Sequence, residues 1–185
     1  MNEITFLDKV AYDELSIIYD LLEETNITFN KGYQGRARTF GDHYGFVLGY
    51  IVTRVGQKYQ LSKQTKKNPE LYDLIQQFGE KYFPSQFSSI QVNKNVTCPR
   101  HLDKKNVGNS MLVSFGNYEG GNIVIEPYGE LSAKYHPIIF NGSELYHYNT
   151  PILNGTKYSL VFYKTTNPAY QDAPSSNLGL NQYSV

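Results

Sequence analysis

The chain has 185 residues, no net formal charge and one cysteine, Cys98. That bounds it to one domain able to bury a core unaided, and excludes both an intramolecular disulfide framework and a cysteine-rich zinc site. The start, Met-Asn-Glu-Ile-Thr-Phe-Leu-Asp, lacks a basic cluster and a sustained apolar run, and the longest apolar stretches, such as residues 45–52, are too short to span a bilayer. The expectation is a soluble intracellular protein with no membrane partner, in which the sequons at Asn26, Asn95, Asn141 and Asn154 carry no glycan.

In chain order, residues 10–24 place Leu15, Ile18 and Leu22 at helical spacing with carboxylates opposite, which predicts an amphipathic helix. Residues 31–67 interleave glycines with Tyr33, Phe40, Tyr44, Phe46 and Tyr50, a pattern of turns and short strands. Asn68-Pro69 predicts an N-cap and first helical residue, followed by the stripe Leu71, Leu74, Ile75, Phe78 and Tyr82 and a stop at Pro84. From Ser88 onward the pattern is all β. Strands are expected at 90–92, 111–115, 123–126, 138–140, near Leu145, and at 158–163, with a loop containing Pro151 and Gly155 after His147. This is an α+β chain whose second half is a sandwich or barrel. We divide it into a helical and basic part (1–87), a core (88–166) and a polar, turn-rich tail (167–185).

The charge is unevenly spread. Residues 31–67 hold eight lysines and arginines, among them Arg36 and Arg38, against Asp42 alone, whereas residues 1–25 hold seven carboxylates against Lys9. Lys94, Arg100, Lys104 and Lys105 form a second basic cluster. Such runs are usually solvated faces; beside an active site they also suit a polyanionic substrate. The seventeen tyrosines are suited equally to a partnered core and to a surface that stacks on bases.

The second cluster brackets the chain's main chemical signal, His101-Leu-Asp103, answered by His147. Taken singly, either histidine is more often an ordinary core or surface residue. Together, two imidazoles and one carboxylate are the facial set of non-haem Fe(II) sites, which leaves three cis positions open. Lys157, ten residues past the second histidine, and Ser159 add the cation and hydroxyl that the far end of a dicarboxylate co-substrate needs. Ligands near strand ends, joined by loops of this length, fit a small barrel mouth. Cys98, three residues before His101, is expected to pack.

Ser89-Ile-Gln-Val-Asn-Lys-Asn, His101-Leu-Asp-Lys-Lys-Asn106-Val-Gly-Asn-Ser110, Gly116-Asn-Tyr-Glu-Gly-Gly121 and Thr156-Lys-Tyr-Ser-Leu-Val-Phe-Tyr163 resemble the ten-eleven-translocation/J-binding-protein (TET/JBP) dioxygenases over about residues 88–166. The resemblance implies a double-stranded β-helix (jelly-roll) core with N-terminal supporting helices. It also implies oxidation of the 5-methyl group of a pyrimidine in DNA, with Fe(II), 2-oxoglutarate and dioxygen. His101, Asp103 and His147 would hold iron, Lys157 and Ser159 the distal carboxylate of 2-oxoglutarate, and Asn106 and Tyr163 the flipped base. The family usually has arginine where Lys157 stands, although collagen-type prolyl hydroxylases use lysine at this spacing. A base-contacting histidine of the animal enzymes falls at Thr165, so methylcytosine and thymine both remain open. The family's Cys-rich extension is absent, so DNA contacts are expected from the domain itself, with Arg36, Arg38 and Arg100 as candidates. A prolyl or other protein hydroxylase on the same scaffold, favoured by Lys157, is the alternative reading.

Overall fold

The computed structural model describes residues 4–7, 11–24, 30–31, 44–52 and 58–165. The first half contains β1 (Thr5–Phe6), α1 (Tyr12–Glu24), β2 (Asn30–Lys31), β3 (Tyr44–Val52), β4 (Tyr59–Leu61), α2 (Lys63–Lys67) and α3 (Pro69–Tyr82). The second half is all strand: β5 (Ser89–Lys94), β6 (Ser110–Phe115), β7 (Tyr118–Gly120), β8 (Ile123–Ile125), β9 (Gly129–Leu131) and β10 (Ile138–Phe140). It ends with β11 (His147–Asn149), β12 (Ile152–Gly155) and β13 (Tyr158–Tyr163). An antiparallel sheet runs β1-β10-β6-β13-β5-β3-β2, with β4 on β3; β11-β8-β9 form a smaller sheet and β12-β7 a ribbon.

Side chains alternate across a strand, and the large sheet uses both faces. On β13, Tyr158, Leu160 and Phe162 are fully buried in the core that packs the helices, while Ser159, Val161 and Tyr163 line a cavity on the other side. Its neighbours repeat the pattern: Met111, Val113, Ile90 and Val92 join the helix-side core, and Ser110, Leu112, Gln91 and Asn93 line the cavity. The helices bring Leu15, Ile18 and Leu22 from α1 and Leu71, Ile75 and Phe78 from α3 to that core. A second apolar cluster, including Leu112, Ile123, Ile138 and Phe140, fills the space between the large and small sheets. Helices, large sheet and small sheet are thus three layers, with the cavity between the last two.

The acidic N-terminal helix is partly consumed by this packing. Glu14 of α1 accepts hydrogen bonds from Lys81 and Tyr82, and Glu23 accepts from the Tyr158 hydroxyl and, at 3.1 Å, from Lys94. Burial first, and then the Glu23 contact, push the Tyr158 phenol up, while the same hydroxyl pulls the Glu23 carboxyl down. A buried phenol needs such a partner, whereas the exposed ion pairs contribute little by themselves.

Local readings differ from expectation at several points. No strand forms at Leu145: Asn141 Oδ1 accepts from the Ser143 amide and hydroxyl at 3.1 and 2.7 Å, and the Asn141 carbonyl accepts from Leu145 N at 2.9 Å. That turn delays the strand until His147. The expected loop at Pro151 and Gly155 contains β12, paired with β7 through a register irregularity between Ile152 and Asn154. Asn68 makes no side-chain cap for α3; its Nδ2 donates instead to the Gln64 carbonyl at 3.0 Å, closing the unanticipated helix α2. Buried Tyr72, Tyr82, Tyr118 and Tyr158 place part of the tyrosine content in the core. No helix among the described residues is long and apolar enough to cross a membrane. Arg36, Arg38 and the tail at 167–185 lie outside the described residues.

Gly79 of α3 sits directly over β13: an added Cβ would lie 2.6 Å from Phe162 Cε1 and 2.7 Å from Phe87 Cζ. Replacing a helical glycine by alanine ordinarily stabilises a helix by about 1 kcal/mol. Here Gly79→Ala is expected to destabilise by about 1–3 kcal/mol through overpacking. Denaturant unfolding decides the sign; a stabilised variant would mean that α3 does not press against β13 as described.

Candidate active site

The site is assembled around a backbone contact. His101 N donates to the His147 carbonyl at 3.0 Å and His147 N to the His101 carbonyl at 3.1 Å, an antiparallel bridge that clips the segment before Asp103 onto β11. Directly opposed residues project to one face of such a pair, and the two rings lie with centroids 4.2 Å apart. Asp103 is held by its own amide, which donates to the Gly142 carbonyl at 2.8 Å, and its carbonyl accepts from Asn106 N at 2.8 Å.

Both imidazoles are oriented the same way. His101 Nδ1 lies 2.7 Å from the Pro99 carbonyl and His147 Nδ1 2.9 Å from the Leu145 carbonyl. A carbonyl only accepts, so each Nδ1 carries the proton and each Nε2 presents a lone pair in the neutral ring. Those Nε2 atoms face Asp103 oxygens at 3.6 and 3.7 Å. Burial holds His147 below the usual histidine range, against the opposing pull of its Leu145 contact. Three ligand atoms within 4.8 Å of one another therefore gather lone pairs with no proton between them. A cation satisfies that arrangement, and two nitrogens plus one carboxylate fit a mononuclear Fe(II) centre with open positions.

The triad opens onto a cavity of about 90 Å³ between the two sheets, several times the roughly 10–15 Å³ needed to hold one water. Asn106, Tyr163, Lys157 and Ser159, all singled out from the sequence, line the same cavity. Lys157, 5 % exposed, precedes β13 rather than lying in it, and its Nζ donates to the Gly121 carbonyl. No carboxylate pairs with it among the described residues. Burial lowers its pKa to about 8, opposed by Cys98, which lines the cavity instead of packing in the core.

Three contacts that sequence reasoning missed place the cation and its hydroxyl. Asn95, at φ 52°, accepts from Lys157 N through Oδ1 at 2.8 Å and donates its own amide to the Lys157 carbonyl at 2.8 Å. Its residue type was the available signal, since asparagine is enriched in left-handed backbone. Asn93 Nδ2 donates to Ser159 Oγ at 3.3 Å. The Gly120-Gly121 turn, with φ of 70° and 62°, brings the Gly121 carbonyl to Lys157 Nζ; a Cβ on Gly120 would meet the Pro151 carbonyl oxygen at 2.4 Å.

Outside the triad lies a groove of about 600 Å³, lined by Arg100, Lys104, Lys105, Tyr146 and Thr165, and sharing His101, Asp103 and Asn106 with the inner cavity. Arg100 forks onto Glu126 at 2.8 and 2.7 Å and stacks 3.5 Å over the Tyr146 ring, so its charge is compensated locally. Lys104 and Lys105 are exposed. Lys58, Lys63, Lys66 and Lys67, the described side chains of the basic segment, line neither space.

No protein-family profile and no curated protein matches the sequence. Solved structures share its shape. NgTET1 in complex with 5mC DNA aligns at TM-score 0.59 and 13% identity, over 87% of this chain and 71% of that one. An oxidoreductase of the 2OG-Fe(II) oxygenase family from Burkholderia pseudomallei aligns at 0.56 and 18% identity, over 86% and 84%. A prolyl hydroxylase from Trichoplax adhaerens, in complex with a hypoxia inducible factor peptide fragment, aligns at 0.54 and 13%, over 88% and 84%. This chain has their fold, the double-stranded β-helix of the 2-oxoglutarate/Fe(II) oxygenases.

Because Lys157 is depressed, between pH of about 8 and the ordinary 10.5 the unfolded chain holds a proton that the folded chain has released. Stability attributable to this group therefore rises with pH across that window. Relative to Lys157→Met, the parent should gain on the order of 3 kcal/mol of unfolding free energy across it. Parallel pH profiles for the two proteins would show that the ammonium is not buried.

Proposed function

We propose that the protein is an Fe(II)- and 2-oxoglutarate-dependent dioxygenase that oxidises the 5-methyl group of a pyrimidine in DNA. The carrying observation is that one cavity holds both the His101–Asp103–His147 cluster and the buried, carboxylate-free Lys157. On this reading His101, Asp103 and His147 hold the metal, while the Lys157 ammonium and the Ser159 hydroxyl take the distal carboxylate of the co-substrate. When bound, iron and 2-oxoglutarate supply the oxidising equivalents that place one atom of dioxygen in a C–H bond. The chain's own work is to orient and to exclude water. Leu112, Phe140 and Val161 give the cavity apolar walls, which strengthens each polar contact inside it. Tyr163 supplies an aromatic face and Asn106 a polar edge for a flipped base.

DNA as substrate is supported by the exposed Lys104 and Lys105 at the mouth, by the aromatic and amide pair inside, and by the likeness to a structure in complex with 5mC DNA. Arg36, Arg38 and Arg100 remain candidate phosphate contacts, Arg100 in competition with Glu126. Protein hydroxylation is the second reading, favoured by lysine rather than arginine at position 157 and by the likeness to a prolyl hydroxylase.

His101→Ala, Asp103→Ala and His147→Ala should each abolish turnover and weaken metal binding while the fold persists. Lys157→Ala should raise the 2-oxoglutarate requirement about ten- to a hundredfold, the loss of a charge-assisted contact worth about 1.5–3 kcal/mol. A triad variant that turns over like the parent, or an unchanged co-substrate titration for Lys157→Ala, sinks the corresponding assignment.

The substrate is tested by nucleoside mass spectrometry on methylated DNA beside a proline-rich peptide, with identical Fe(II) and 2-oxoglutarate. Oxidised pyrimidine is expected, with binding that weakens as salt rises and charge reversal at Lys104 or Lys105 weakening it for every sequence alike. Hydroxylation of the peptide with DNA untouched would replace this reading with the second.

A further inference from the structure

Among the described residues Ser110 Oγ, a buried hydroxyl, has no hydrogen-bond partner. Ser110 is 1 % exposed and forms part of the wall of the triad cavity. An unpaired buried hydroxyl is destabilising, so its persistence at a cavity wall points to a partner that arrives with the ligand.

We propose that Ser110 Oγ binds the primary substrate, hydrogen-bonding the polar edge of the base being oxidised, and takes no part in anchoring the co-substrate. The proposal rests on the dioxygenase reading above. Its position separates the two roles. Ser114 sits directly across from Ser159, and Ser110 lies four residues further along β6, about 13 Å away at roughly 3.3 Å per residue. A five-carbon dicarboxylate held at Lys157 and Ser159 spans at most about 6 Å between its carboxyl carbons, with four bonds of about 1.5 Å each. Reaching Ser110 as well would need it fully extended along the strand, with a hydrogen bond of about 2.8 Å at each end.

The surroundings define what Ser110 would recognise. It pairs in register with Phe140, so the two side chains stand side by side on the cavity face. Leu112, Val161 and Tyr163 continue the same wall. A single hydroxyl among apolar and aromatic neighbours suits a flat group with one hydrogen-bonding edge. A pyrimidine offers ring and exocyclic heteroatoms there, whereas a prolyl ring offers methylenes.

The test compares the parent with Ser110→Ala and with Ser110→Cys, which keeps the volume without a strong hydroxyl. Both free variants should melt at or above the parent, because an unpaired polar group has been removed. Calorimetry on the Mn(II)-loaded proteins should give the same 2-oxoglutarate affinity for all three. The KM for a methylated oligonucleotide should rise about three- to tenfold in both variants, the range of one neutral hydrogen bond. A lower melting temperature in both would mean that Ser110 has a partner within the fold. Lost 2-oxoglutarate affinity would make it a co-substrate residue, and an unchanged KM would remove it from the substrate; each result overturns the proposal alone. Failure of the parent to bind 2-oxoglutarate would instead sink the dioxygenase reading, and the proposal with it.

Discussion

Strand β13 is hydrogen-bonded to β5 on one edge and β6 on the other, and both of its faces are covered. Its even-numbered residues hold the helices and its odd-numbered residues furnish the cavity. Because the side-chain period is two, a slip of one residue would exchange the two sets. Ser159, Val161 and Tyr163 would enter the helix layer, and Tyr158, Leu160 and Phe162 would fill the cavity. Register here is therefore a condition for having a site at all. The helix layer helps to set it: Gly79 admits Phe162 at close range, and Glu23 satisfies the Tyr158 hydroxyl from the opposite element. Helices remote from the triad thus fix where Lys157 and Ser159 stand.

What the sequence made legible follows from the range of each interaction. The helical stripe of α3 and the alternation of β6 and β13 are local, and the His-x-Asp pair puts two ligands within three positions. His147 was legible through its residue type and the lysine ten residues later. Its strand was not, because the Asn141 turn that delays it depends on side-chain capture of the backbone rather than on β propensity. Strand β12 was hidden for a related reason. Pro151 and Gly155 are turn signals, and only pairing with β7 makes the segment extended. Asn95 shows the limit most clearly. In the sequence it is one asparagine of a sequon; in the fold it brackets Lys157 across 62 positions with a side-chain and a backbone hydrogen bond. The acidic and basic segments read as two opposed faces, yet Glu14 and Glu23 are taken up by Lys81, Tyr82, Lys94 and Tyr158.

Folded interiors satisfy their polar groups, and departures from that rule concentrate where a ligand completes the structure. Three departures meet in one cavity here. The two Nε2 lone pairs face a carboxylate with no proton between them. The Lys157 ammonium is buried with a carbonyl for company but no anion among the described residues. The Ser110 hydroxyl has no partner among the described residues. Each asks for a different complement: a cation, an anion and a neutral hydrogen-bonding edge. A metal ion, a dicarboxylate and a polar planar substrate supply those three in order, at three places along one cavity. What the chain leaves unsatisfied thus points to the same three groups without recourse to sequence resemblance or shape similarity. Lys in place of Arg at position 157 is tolerable for the co-substrate on the same ground. The anion needs a buried positive charge that is already oriented by Gly121 and Asn95, and a point charge meets that need without the planar fork of a guanidinium.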